Sequence, residues 1–206
     1  MGFFYSGNND IYQYGIWKTE ENEKTLQELS GCNAPLRILN PFKRIEFLAV
    51  RSLAKIMGVN PKEILYLQSG KPFLIDGKLN ISISHTKGYV AILLSKNEYS
   101  AIDIEIRSDR IFKVRKKYMH TDEEIGLQAS GTDEETGLLL HWCAKEALFK
   151  AIPYEGIDFV RELRIYNFAY NGETGRFKAM SLRDDRAFIV DYRIERDFVL
   201  TCCFSE

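Results

Sequence analysis

The chain has 206 residues, 45% of them hydrophobic and 28% charged, which is the composition of a soluble, well-packed protein with one or two domains. Its formal net charge of −1 creates no global attraction to nucleic acid or anionic membrane, so we expect neither as a partner and any anion site must be local. No apolar run approaches the ~20 residues of a membrane span. The 4 cysteines lack CxxC spacing and no secretory signal is visible, which indicates a cytoplasmic protein.

The first half of the chain is predicted to hold a strand, a helix and then several short strands. Residues 11–17 alternate as a strand does. Residues 41–58 have apolar positions at helical spacing, with Asn40 as the cap and Gly58 as the stop. Asp76-Gly77 is typical of a hairpin turn between two of the short strands. These short strands are predicted at residues 64–67, 72–75, 79–84 and 89–95.

The second half is predicted to form a strand, two helical stretches and then four strands. Residues 100–106 alternate cleanly, residues 109–128 are charged and helical, and residues 132–151 form a long helix. Asn171-Gly172 marks a turn between the first two of the later strands. Those strands are expected at residues 162–169, 175–182, 186–194 and 197–204. The class is therefore α+β, and a helix followed by strands in each half predicts two subdomains, 1–98 and 99–206.

Two acids alternate with isoleucines in the strand of residues 101–106. Side chains two apart share one face of a strand, so Asp103 and Glu105 lie together. Two neighbouring carboxylates repel each other unless a cation or basic groups lie between them. A hard cation with oxygen ligands, such as Mg²⁺, explains the pair economically. The alternative interpretation is a solvated strand face.

An aromatic, an acid and a base form one stripe on the predicted long helix. Trp142, Glu146 and Lys150 are each four residues apart and therefore share a helix face. Such a stripe could bind a phosphorylated ligand, with Glu146 completing a metal site and Lys150 meeting a phosphate. The alternative is an ordinary Glu–Lys helix pair beside an amphipathic tryptophan.

Further polar residues in the first half could bind an anion. Ser84 and His85 lie at a strand-to-turn junction and offer hydrogen-bond donors, although a plain polar hairpin turn fits them equally. No GxSxG elbow supports a serine hydrolase. Lys71 lies beside a rigid turn, and Arg44 and Arg51 share one helix face. Taken singly, each of these three is typical of a surface residue.

The order of these segments resembles the 4'-phosphopantetheinyl transferase superfamily, in the two-domain type typified by the activators of surfactin and enterobactin synthetases. The matching patterns are GKP, ISxSH, an IDIE strand and WxxKEAxxK, preceded by an RxExLAxR helix. Together they extend over about residues 44–150. Ala101 departs from the family pattern, because the family usually has glycine before the IDIE strand.

The resemblance implies two pseudo-symmetric α+β subdomains in a monomer, with the active site and coenzyme A in the cleft between them. It implies that Asp103, Glu105 and Glu146 hold Mg²⁺, with Mn²⁺ as the other candidate, against the pyrophosphate of coenzyme A. Lys150 would contact that pyrophosphate, with Lys145 as a neighbouring contact.

The resemblance also assigns residues to the adenosine 3'-phosphate end of coenzyme A. Lys71, Ser84 and His85 would bind it, assisted by Arg44 and Arg51. The family's partner is an acidic carrier protein, and the basic run within residues 107–117 could dock one. A solvated helix face explains that run equally well.

The implied reaction is attack by a serine hydroxyl of an acyl- or peptidyl-carrier protein on the β-phosphorus of coenzyme A. Adenosine 3',5'-bisphosphate leaves, and the base is Glu146 or a metal-bound water that Glu146 orients. Two other functions stay open at this point. One is another Mg²⁺-dependent phosphotransferase or phosphohydrolase that uses the same acids. The other is a catalytically silent module that binds coenzyme A or a carrier protein.

Overall fold

The computed structural model describes residues 2–206, which form helices and antiparallel sheets in two compact units. The first unit ends at Glu98 and the second is Tyr99–Glu206. The α+β class is confirmed, whereas the independence of the two units as domains stays a prediction. No helix formed by the described residues is both long enough and apolar enough to cross a membrane.

The first unit consists of two helices, a four-stranded sheet and a small two-stranded hairpin. Its four-stranded sheet has the order β1-β2-β6-β5, and β3 and β4 form a separate pair. The strands are β1 (Phe3–Asn8), β2 (Tyr12–Lys18), β3 (Ile64–Tyr66), β4 (Pro72–Leu74), β5 (Asn80–Thr86) and β6 (Tyr89–Ser95). The helices are α1 (Glu23–Ser30) and α2 (Pro41–Ile56), and a short 3-10 turn covers Pro61–Glu63.

Helix α2 forms where the sequence predicts it because both its start and its apolar face are encoded locally. The Asn40 side chain accepts a hydrogen bond from Phe42 N at 2.9 Å, and Pro41 occupies the first turn, where a missing N–H costs nothing. Leu48 and Leu53 are fully buried and join one core with residues of β2 and β6. This core fixes α2 against the four-stranded sheet.

The second unit is a five-stranded antiparallel sheet of order β7-β11-β10-β9-β8, covered by a long helix. The strands are β7 (Ser100–Ile106), β8 (Leu163–Tyr166), β9 (Thr174–Ser181), β10 (Arg186–Ile194) and β11 (Phe198–Ser205). The helices are α3 (Arg110–Val114), α4 (Thr121–Ala129) and α5 (Glu134–Ala151), with a 3-10 turn at Arg115–Lys117. Helix α5 packs on β7 and β11, and the core lies between them.

The structure departs from the sequence predictions in three places. Strand β1 and helix α1 were not predicted. Asp76-Gly77 forms a turn, in which Gly77 N–H donates to the Leu74 carbonyl at 3.1 Å, but not the expected hairpin. Strand β4 pairs with β3, and β5 pairs with β6. The chain reverses between these paired strands at Gly70 and at Gly88, whose φ angles of 88° and 83° favour glycine.

Two helical glycines provide a matched test of packing in the second unit. A Cβ at Gly137 in α5 would overlap the Leu127 side chain and lie 2.9 Å from Thr132 Cγ2, whereas a Cβ at Gly126 in α4 meets no atom within 4 Å. We therefore expect Gly137→Ala to lower the free energy of unfolding by about 1–3 kcal/mol through overpacking. Gly126→Ala should raise it by roughly 1 kcal/mol through helix propensity. Thermal unfolding checks both variants, and changes of the same sign would contradict the packing seen here.

Candidate active site

Strand β7 and helix α5 bring together acids and bases that are about 40 positions apart in the sequence. Asp103 and Glu105 lie on the face of β7 that α5 covers, as two polar contacts show. Lys150 Nζ donates to Asp103 Oδ1 at 2.6 Å, and Trp142 Nε1 donates to Glu105 Oε1 at 2.8 Å. The predicted strand pair and helix stripe therefore belong to one cluster.

The position of the stripe follows from the way α5 is anchored. Its N-cap is Asp133, whose side chain accepts from Thr136 N at 2.9 Å. The apolar stripe of α5 lies in the core against the sheet. Its fully buried members are Leu140, Ala144, Ala147 and Leu148. The stripe that carries Glu146 is thereby held beside β7 and only partly buried.

Burial and mutual repulsion make Glu105 and Glu146 hard to ionise. Burial, followed by the negative charges of Asp103 and Glu105, raises the pKa of Glu146 to about 7, although Lys150 opposes the shift. Burial and then Asp103 likewise raise the pKa of Glu105, against the Trp142 hydrogen bond. When all three acids are ionised, they carry more negative charge than Lys150 neutralises, so a bound cation would stabilise their ionised forms.

Lys150 is a cation under all ordinary conditions. Burial by itself would lower its pKa, but the Asp103 carboxylate, with help from Glu146, outweighs that penalty and raises the pKa above its ordinary value of 10.5. Its ammonium also donates to the Ile102 carbonyl at 3.3 Å. Lys150 thus places a positive charge next to the acids, where an anionic ligand could use it.

The donor set fits a hard divalent cation in its chemistry. Mg²⁺ and Mn²⁺ prefer oxygen ligands, and the three carboxylates of the cluster are ligands of this kind. Among residues 2–206, however, no group of three or more His, Cys, Asp or Glu side chains is arranged to hold a metal ion. Instead, Lys150 contacts Asp103, and Trp142 contacts Glu105. The metal role of Asp103, Glu105 and Glu146 therefore stays a prediction.

Lys145 does not fit the expectation that it contacts coenzyme A. Its side chain has 0% exposure, and its ammonium donates to Tyr118 O at 2.5 Å, Glu123 Oε2 at 2.7 Å and Phe159 O at 2.9 Å. All three N–H groups are therefore bonded within the protein. Burial lowers the pKa of Lys145, and the Glu123 carboxylate opposes that shift. Lys145 connects α5 to α4 and leaves no surface for a ligand.

Glu123 is the residue of this region that the sequence interpretation missed. It was predicted only as part of the charged helical stretch of residues 109–128, but its side chain is fully buried. Besides Lys145, it accepts from His120 N at 2.8 Å and from Ile165 N at 2.8 Å. His120 and Glu123 stand three apart at the start of α4, in a capping-box arrangement. That spacing was the available signal, since a capping-box acid turns back toward the backbone.

His141 on α5 makes stability depend on pH. Complete burial lowers the pKa of His141 from 6.5 to about 4. Between these two pH values, the imidazole is protonated in the unfolded chain but neutral in the folded chain. The contribution of His141 to the free energy of unfolding is therefore fully present above pH 6.5 and is lost as the pH falls toward 4. We expect about 2 kcal/mol of loss between pH 7 and pH 5.

The measurement is urea unfolding of the wild type and His141→Phe at both pH values. Glu146 titrates in the same pH range, but its effect on the free energy of unfolding has the opposite sign, because folding raises its pKa. The difference between the two proteins therefore isolates His141. An equal pH response in both would contradict the buried neutral imidazole.

The residues predicted to bind the 3'-phosphate lie in the first unit. Arg44 Nε donates to both carboxylate oxygens of Glu23, at 3.0 and 2.9 Å. The Arg51 guanidinium lies 3.3 Å from the Phe47 ring centroid and donates to the Phe47 carbonyl at 3.2 Å. Both arginines thus have partners within the unit, and a phosphate would share or displace them.

The other three predicted contacts differ in exposure. Ser84 on β5 is buried, whereas the neighbouring His85 side chain is 47% exposed and its Nδ1 lies 3.9 Å from Glu46 Oε1. Lys71 is partly buried in the turn between β3 and β4. Arg44, Arg51, Ser84, His85 and Lys71 therefore keep their phosphate-binding role as a prediction.

Comparison with known proteins indicates the family of this chain. The sequence model of the 4'-phosphopantetheinyl transferase superfamily matches residues 101–203, which is half of the chain and includes α5 and all of β7 except its first residue. A protein of Haemophilus influenzae (strain ATCC 51907 / DSM 11121 / KW20 / Rd), named "Putative 4'-phosphopantetheinyl transferase", is 28% identical over 133 residues. That alignment covers 61% of this chain and 55% of the relative, so the chain spans about half of that protein's length. The chain belongs to the 4'-phosphopantetheinyl transferase superfamily.

Proposed function

We propose that this protein transfers the 4'-phosphopantetheine arm of coenzyme A to a serine of an apo acyl- or peptidyl-carrier protein. Adenosine 3',5'-bisphosphate is the second product. Membership of the superfamily supports a transferase activity in general. The observation that carries the specific proposal is the cluster of Asp103, Glu146 and Lys150, which lies within the matched segment and combines surplus acid with a fixed cation.

The cluster has the charges that a pyrophosphate requires. The Lys150 ammonium is held by Asp103 at 2.6 Å, so it can turn toward phosphate oxygens without being buried as a lone charge. Asp103, Glu105 and Glu146 would hold Mg²⁺, which when bound neutralises negative charge that develops on the phosphates. In this arrangement the protein contributes mainly positioning and electrostatics, as is general for phosphoryl transfer.

Glu146 is suited to remove the proton of the attacking serine. Without a bound cation, burial and the neighbouring acids raise the pKa of Glu146 to about 7; a bound Mg²⁺ would stabilise the ionised carboxylate, which is the form that a general base requires. The serine oxygen forms a bond to the β-phosphorus while the bond from that phosphorus to the bridging oxygen breaks. The electron pair leaves with adenosine 3',5'-bisphosphate, and the proton passes to the Glu146 carboxylate. Lys150 stabilises the charge that develops.

Part of the basic run in the second unit is available to an acidic carrier protein. Arg115 is engaged by Glu124 at 2.8 Å and by Glu134 at 2.6 Å. Three lysines beside it are exposed, namely Lys113, Lys116 and Lys117. Exposed cations steer an acidic partner and set its orientation more than its affinity. We propose that the carrier protein docks on this basic run. We also propose that the protein acts as a monomer in the cytoplasm.

The test is the dependence of adenosine 3',5'-bisphosphate release on the carrier protein. The protein is incubated with coenzyme A and Mg²⁺, alone, with apo-carriers of fatty-acid, polyketide and nonribosomal-peptide type, and with the same carriers lacking the acceptor serine. Chromatography should show product only with an intact apo-carrier. Product without a carrier, or turnover of ATP instead, would favour another phosphotransferase. Coenzyme A binding without any product would favour a silent binding module.

A further inference from the structure

A cavity of about 250 Å³ lies in the second unit, among α4, α5, β8 and the segment that follows β8. His141 of α5 lines it, together with Arg164 and the aromatic rings of Tyr166 and Phe168. None of the three acids assigned to the metal is among its lining residues. Tyr166, one of the lining residues, is 40% exposed.

Two of the residues that line the cavity carry buried polar atoms whose hydrogen bonds are not made within the protein. His141 is fully buried, and its Nδ1 lies 2.7 Å from the Gly137 carbonyl. A carbonyl only accepts, so Nδ1 carries the hydrogen and Nε2 is a bare acceptor. Within residues 2–206, neither His141 Nε2 nor Arg164 Nε has a hydrogen-bond partner, although both atoms are buried. Buried polar atoms of this kind normally have a partner, either in the protein or in an ordered water or bound ligand.

Each charged side chain that lines the cavity is paired with an opposite charge, although Lys145 itself is not a lining residue. Lys145 is paired with Glu123 at 2.7 Å, and Arg164 Nη1 is paired with Asp122 at 3.2 Å. An ionic occupant would therefore meet no net opposite charge. The Phe168 ring lies 4.5 Å from the His141 ring, centroid to centroid, and adds an apolar wall. The surroundings fit a neutral molecule with an apolar part and both hydrogen-bonding functions.

We propose that this cavity binds a small neutral molecule that carries an amide group. The amide N–H donates to His141 Nε2, and the amide carbonyl accepts from Arg164 Nε. A dry cavity of about 150 Å³ accepts benzene, so one of about 250 Å³ has room for roughly ten non-hydrogen atoms. This site is separate from the proposed transfer chemistry and does not depend on it.

Benzamide is the probe, because it has the required size, an apolar ring and a primary amide. Acetophenone is the matched control, since it keeps the ring and the carbonyl but replaces the amide nitrogen by a methyl group. In ¹⁵N NMR of the full chain, benzamide should shift the His141 Nε2 resonance and the amides of residues 164–168 in a saturable manner. Acetophenone should bind at least tenfold more weakly, because the Nε2 acceptor stays unsatisfied.

Gly126→Leu provides the matched variant. Gly126 lines the cavity from α4, and a Cβ there meets no atom within 4 Å, so a side chain can start from this position without a clash. We expect it to abolish the benzamide shifts while the thermal stability is kept or raised. Equal binding of the two probes, benzamide binding unchanged by Gly126→Leu, or no saturable shift up to the solubility limit would each overturn the proposal. The last result would make the cavity a hydration site.

Discussion

Asp103→Ala is expected to abolish phosphopantetheine transfer, with a loss of rate of at least about 1,000-fold. The substitution removes one of the three carboxylates assigned to the cation. It also removes the carboxylate that fixes the Lys150 ammonium at 2.6 Å, so both the negative and the positive part of the cluster are lost. Steady-state transfer to an apo-carrier measures the effect on rate.

Cation binding and a matched control separate this role from a structural one. Mn²⁺ binding followed by electron paramagnetic resonance should weaken strongly in Asp103→Ala, and Asp103→Asn should share both defects because it keeps the shape but not the charge. Asp191→Ala is the control, since Asp191 is a strand acid of the same sheet that pairs with Arg176 at 2.5 Å. The control should keep activity and Mn²⁺ binding. Unchanged transfer by a folded Asp103→Ala would refute the metal assignment.

Lys145→Met is expected to lower the free energy of unfolding of the second unit by about 3–5 kcal/mol. The substitution leaves the Glu123 carboxylate buried at 0% exposure without its ammonium partner. It also removes the donor of two further bonds to backbone carbonyls of Tyr118 and Phe159. Denaturant unfolding, followed by hydrogen exchange of α4 and α5 amides, measures the loss where it should occur.

Two variants test whether Lys145 acts through structure or through a ligand. The double variant Lys145→Met, Glu123→Gln should recover part of the stability, because no unpaired charge stays buried. Lys150→Met, on the same helix but 28% exposed, should lose transfer activity while costing far less stability. The opposite pattern, with Lys145→Met stable and weakened only in coenzyme A binding, would restore the ligand role that its sequence position suggested.

The sequence predicted the long helix and the acid strand well because both are specified locally. Helix α5 has a capped start and an apolar stripe, and β7 was predicted with its observed bounds. Strand β1 was missed because it is an edge strand with little burial, so no alternation of apolar residues marks it. Helix α1 was missed because only Leu26 and Ser30 of its residues are buried, although Asn22 caps it and Gly31 ends it.

The pairing of charges could not be read from the sequence in the same way. Lys145 and Lys150 stand on one helix in one motif, yet Lys145 is buried against Glu123 while Lys150 meets Asp103. Lys145 turns inward because Glu123 of α4 is its partner, and Glu123 precedes it by 22 positions in the sequence. The hairpin partners of β4 and β5 were likewise decided by sheet packing and by Gly70 and Gly88, not by the stronger local signal at Asp76-Gly77.

The most direct test of the proposed function is the intact mass of an apo-carrier protein after incubation with this protein, coenzyme A and Mg²⁺. We predict a gain equal to one 4'-phosphopantetheine group, located on the acceptor serine and absent when Asp103→Ala replaces the wild type. No mass gain on any of the three carrier types, with coenzyme A still bound to the protein, would contradict the proposed transfer.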